Sequence, residues 1–71
     1  MNHLGRIQIA ILKALRDEEI ERSILIPEIR KSLYNDDVPI SIQIRRIRAA
    51  INSLKRKGII IEEVGILSRN K

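Results

Sequence analysis

Residues 38–61 read VPISIQIRRIRAAINSLKRKGIII, and their pattern decides the fold. The stretch has no acidic residue and carries Arg45, Arg46, Arg48, Lys55, Arg56 and Lys57. Ile40, Ile44, Ile47, Ile51 and Leu54 recur at spacings of four and three, the pattern of a helix with one apolar face. At about 100° per residue, Ile42, Arg45, Arg46, Ala49, Ser53 and Arg56 fall on the other face, with Asn52 at its edge. Arg48 falls nearer the apolar side. Ser41 suits the N-cap, where its hydroxyl accepts a backbone N–H two or three residues on. Gly58 suits the left-handed residue that ends the helix, and Lys55, Arg56 and Lys57 complement the negative end of its dipole. An apolar inner face with a cationic outer face of arginines and small residues is what a helix in the major groove of DNA presents.

Beyond Gly58 the period shortens. Ile59 to Glu63 and Ile66 to Arg69 read as two strands, with Gly65 in a short hairpin loop carrying a bulge. Asn70 and Lys71 read as a loose end. Upstream, Pro39 stops any helix arriving from the N-terminal side, and Asn35-Asp36-Asp37 closes it. A second helix is expected to start at Pro27, because the first helical position tolerates a missing N–H, with Ile29, Leu33 and Tyr34 inward. Ser23-Ile24-Leu25-Ile26 reads as a short strand, and Asp17 to Arg22 as a polar link.

The first helix is expected from Asn2 or His3 to Asp17 or Glu18. Leu4, Ile7, Ile11, Ala14 and Leu15 form its core face. Gly5, Ile9 and Leu12 form a second apolar stripe. Either neighbouring elements wrap far enough to bury it, or it is a subunit interface.

At 71 residues the chain is one small domain, residues 1–71, with a thin core. It has no cysteine and one histidine, His3, which excludes disulfide staples and thiolate or histidine-rich metal sites. Isoleucine-rich, rich in Arg, Lys and Glu, and with Tyr34 its only aromatic, the composition leans toward a thermophilic source. The net charge of +5 is uneven. Residues 1–37 hold six basic and seven acidic side chains; residues 38–71 hold eight and two. A basic half joined to a near-neutral half points to a polyanionic partner on one face. No signal or membrane-spanning pattern is visible, so the expected location is the cytoplasm.

The order helix, short strand, helix, helix, hairpin resembles the winged helix-turn-helix family of DNA-binding proteins. The most specific match runs from Ile40 to Ile60: a polar cap after an aliphatic residue, a basic helix ending Leu54-Lys55-Arg56-Lys57-Gly58, then Ile59-Ile60. The resemblance covers about Leu4 to Arg69 and is closest to small archaeal and archaeal-virus transcription regulators. It implies an α+β fold with three helices, a short strand and a C-terminal two-stranded wing, and a third helix of about residues 41–57 in the major groove. Two features depart from the family. The wing tip, Glu62-Glu63-Val64-Gly65, is acidic and would be repelled by phosphate. No dimerisation helix follows the wing, so a dimer is expected to use the first helix or the hairpin edge.

The expected DNA contacts are therefore Ser41, Ile42, Gln43, Arg45, Arg46, Ala49, Asn52, Ser53, Arg56, Lys57 and Arg69. Arg45 and Arg46 would pair with guanine and Gln43 with adenine. Ile42 and Ala49 would meet thymine methyl groups, and Ser41 at the helix start would meet a phosphate. Gly5, Ile9 and Leu12 would form the interface of a homodimer. The expected partners are double-stranded DNA and a second copy, with no cofactor, metal or small-molecule ligand. No nucleophile and base pair, metal set or phosphate-cradling loop argues for an enzyme. The alternative is a winged-helix module for protein contacts in a transcription or replication assembly, which the acidic tip favours.

Overall fold

A computed structural model describes residues 5–34 and 37–70. The chain is α+β, with three helices and a three-stranded antiparallel sheet. In order come α1 (Arg6–Ala14), β1 (Ile20–Glu21), α2 (Arg22–Leu33), α3 (Ile40–Arg56), β2 (Ile60–Glu63) and β3 (Ile66–Arg69). The sheet order is β1-β3-β2. The three helices pack against one another, and the sheet closes one side of the core.

That core draws on every layer. Ile11, Leu12 and Leu15 come from the first helical segment, Leu25 and Ile29 from α2, Ile47, Ala50, Ile51 and Leu54 from α3, and Ile60 and Leu67 from the hairpin. Each fully buried Leu or Ile contributes about 1.5–3 kcal/mol relative to exposure. These few side chains therefore carry the fold.

Several expectations are corrected. α1 ends at Ala14 with Leu15 as its C-cap, three residues short of Asp17. Three acids in a row at the negative end of a helix dipole oppose its extension. The positions of Asn2, His3 and Leu4 lie outside the described residues, as do Asn35, Asp36 and Lys71. Ser23 to Ile26 is not a strand; it is the first part of α2, and β1 is confined to Ile20–Glu21. Leu25 and Ile29, four apart, are both buried, so tertiary packing overrides the β-branched preference of Ile24 and Ile26. Pro27 lies inside α2, not at its start. It removes the N–H that would bond the Ser23 carbonyl, and both residues are exposed, so water can satisfy that carbonyl.

α3 begins one residue early, at Ile40. Its N-cap is Pro39, not Ser41, and the Pro39 carbonyl accepts from the N–H of Ile42 (3.0 Å) and Gln43 (3.1 Å). Its C-terminus forms as expected. Gly58 has φ 74°. The Ile59 N–H donates to the Leu54 carbonyl and the Gly58 N–H to the Lys55 carbonyl, each at 3.0 Å. This pair of bonds is the Schellman closure.

The hairpin has no bulge. Glu63 pairs directly with Ile66, leaving a two-residue loop in which Val64 (φ 51°) and Gly65 (φ 77°) are both left-handed. That is a type I′ turn. Asn70 is not loose: its N–H donates to the Ile59 carbonyl at 3.0 Å and its side-chain amide to the Gly58 carbonyl at 2.9 Å. These bonds hold the base of the hairpin against the end of α3.

Candidate nucleic-acid interface

The face that α3 turns outward follows from which of its residues are buried. Gln43, Ile47, Ala50, Ile51 and Leu54 point into the core. Ile40, expected in this stripe, is 56% exposed, and Ile44 is only partly covered. The inner stripe is thus rotated from the all-isoleucine reading, and the outer stripe rotates with it. Arg45, Ala49, Asn52 and Arg56 are all exposed and lie within about 60° of one another on the helix. Among the described residues none of these charged groups has an ionic partner.

The remaining expected contacts sit around this stripe. Ser41 is exposed in the first turn, close to the positive end of the helix dipole. Ile42 and Ser53 are half-buried on one flank. Arg46 is exposed on that side too and shares a groove with Arg6, Ile7 and Tyr34. Lys57 is the exposed C-cap.

Gln43 is corrected outright. It is 3% exposed, and its amide N–H donates to the Val38 carbonyl, so it braces the turn before α3 and cannot reach a base edge. Arg69 is exposed but lies at the base of β3, in a depression shared with Asp17, Glu18 and Glu19, apart from the α3 stripe. Conversely, Arg48, read as turned toward the core, is exposed. It borders a shallow depression with Arg22, Ser23, Ile44 and Gly65, between α3 and the hairpin tip. The small residue Ala50, three beyond Ile47, was the sequence signal that the buried stripe leans away from Arg48.

One carboxylate ties the hairpin to both α2 and α3. Glu62 lies on the inner face of β2 and its side chain is only 15% exposed. Arg22, the first residue of α2, donates to it through Nε at 3.0 Å and Nη2 at 2.9 Å. Lys55, in the last turn of α3, donates to it at 2.6 Å. The Arg22 backbone N–H also donates to the Gly65 carbonyl at 2.9 Å. Charge-assisted and bidentate contacts of this kind are the strong ones. The hydrogen bonds from Arg22 and then Lys55 hold the Glu62 carboxyl at about 2, well below the ordinary 4.5, against a smaller opposing effect of burial. The expectation of two free acids at the tip is therefore half corrected. Glu62 is neutralised within the chain, whereas Glu63 is exposed and has no ionic partner among the described residues.

On α1, Ile9 is 43% exposed but Leu12 is only 9% exposed and belongs to the core. Gly5, the N-cap, is exposed. Among the described residues no cluster of side chains could hold a metal ion, and no helix is long and apolar enough to cross a membrane. No protein-family model, curated protein or solved structure matches the chain.

Proposed function

We propose that the protein is a winged helix-turn-helix regulator that binds double-stranded DNA in a sequence-specific way, with α3 in the major groove. The observation that carries the reading is the acid-free outer stripe of α3, where Arg45, Ala49, Asn52 and Arg56 stand exposed beside Arg48. Arg45 and Arg48, nearer the start of the helix than Arg56, suit bidentate contacts to guanine O6 and N7, and Ala49 suits a thymine methyl. Arg56 and Lys57, a turn or more further on, suit phosphates. α2 packs across α3 as the supporting helix, and the hairpin serves as a wing whose angle is set by Glu62. A helix of this kind reads only a few base pairs, so the partners are duplex DNA and a second copy of the chain.

The test is duplex binding across a salt series with random duplex as competitor. A regulator gives a log–log salt slope of several phosphates and a specific-to-random ratio of about 10³ or more. A protein-contact module gives neither at physiological salt. The outer face of the hairpin, where Ile61, Val64 and Ile66 are exposed, is what favours that second reading.

A further inference from the structure

Two surfaces outside the α3 stripe match each other. The first is on the outer face of the sheet. Glu21 of β1 pairs with Ile66 of β3, and Ile66 pairs with Glu63 of β2, so the three stand in one row across the strands. Directly paired residues point to the same side, and all three are exposed. The row is an isoleucine between two carboxylates, spanning roughly 10 Å at the usual strand spacing. Ile61 and the tip residue Val64 extend its apolar part. Val64 is fully exposed and held at φ 51°, a conformation β-branched residues rarely adopt.

The second surface is the outer face of α1. Arg6, Ile9 and Lys13 lie on one exposed stripe, and α1 contains no acid. The row is an isoleucine between two cations, spanning roughly 10 Å at 1.5 Å per residue. None of these four charged groups has an ionic partner among the described residues.

We infer that copies of this chain associate head to tail, the Glu21–Ile66–Glu63 row of one seated on the Arg6–Ile9–Lys13 row of the next, with Glu63 against Lys13 and Glu21 against Arg6. Sign, spacing and the central apolar residue all agree. The symmetric alternative, α1 against α1 about a two-fold axis at Ile9, sets Arg6 of each helix beside Lys13 of the other, like charge to like. It also lacks Leu12, which is buried. A contact between two different patches leaves one of each free at the ends, so it extends into a chain of copies unless the rotation closes a ring. Along DNA, such copies would occupy sites repeated in the same orientation. This association goes beyond the DNA-binding reading and holds whether or not that reading does.

The experiment is sedimentation of the purified chain without DNA, from micromolar to millimolar concentration at low and high salt. The unmodified protein is expected to self-associate, less so at high salt. Lys13→Glu and Glu63→Lys are each expected to weaken association at least tenfold. The double variant, in which the charges are exchanged, is expected to recover it to within about threefold. All the residues changed are exposed, and circular dichroism checks that each variant is folded. An unmodified protein that stays monomeric at millimolar concentration overturns the proposal. So does a single variant that associates normally, or a double variant as weak as the singles.

Discussion

Replacing Glu62 with Gln keeps the size of the side chain that joins Arg22 to Lys55 but removes its charge. The carboxyl sits at about 2 in the folded chain against an ordinary 4.5. At about 1.36 kcal/mol per pH unit, that difference sets a ceiling of about 3–4 kcal/mol on its contribution. Lys55 is 37% exposed, so solvent screens part of this. About 1–2 kcal/mol is the expected effect. Because folding lowers the pKa, the contribution is complete above the unfolded value near 4.5 and is lost as pH falls toward 2. Denaturant unfolding of the unmodified chain and of Glu62→Gln at pH 7, 4, 3 and 2 measures it directly. The variant is expected to be less stable at pH 7 by about 1–2 kcal/mol, roughly 4–8 °C in Tm for each kcal/mol. The gap should close as pH falls to 2. The other carboxylates are common to both proteins and cancel in the difference. A gap that is absent at pH 7, or one that persists unchanged at pH 2, would refute the bracket as an ionic device.

Val64→Asn should raise stability by about 0.5–1 kcal/mol, because Asn takes the left-handed position of a type I′ turn at lower cost and no packing is lost; thermal unfolding decides, and no gain or a loss would show the turn is not strained. Gly58→Ala should lower stability by about 1 kcal/mol through backbone strain alone, since an added Cβ meets open space; an unchanged Tm contradicts the Schellman closure. Gln43→Ala should cost about 1 kcal/mol of stability by losing the bond to the Val38 carbonyl, while leaving the preferred DNA sequence unchanged; altered base preference would return Gln43 to the reading face.

The sequence showed most clearly what is local. The end of α3 follows from Leu54 to Ile59, where a left-handed glycine and two aliphatics specify the closure and the turn into β2. The hairpin follows from the change of period after Gly58. What escaped was set by neighbours distant in sequence. Ile24-Leu25-Ile26 carries strand propensity, but Leu25 and Ile29 find their partners only as a helix. Gln43 is the local exception: its amide meets the Val38 carbonyl five residues back, so it is buried where Ile40 is exposed, and Arg48 lies outward. Glu62 looks free in the sequence, since Arg22 lies 40 residues away. The same distance effect hid the Glu21–Ile66–Glu63 row, which exists only through the pairing of three strands.

Selection from a random duplex library, carried out with the unmodified chain and with Arg45→Ala and Arg48→Ala, tests the placement of α3 most directly. The expected result is a defined enriched motif for the unmodified protein, with each variant losing preference at one position and about 1–3 kcal/mol of specific affinity. No enriched motif, or an equal loss of affinity for every sequence in both variants, would contradict an α3 that reads bases.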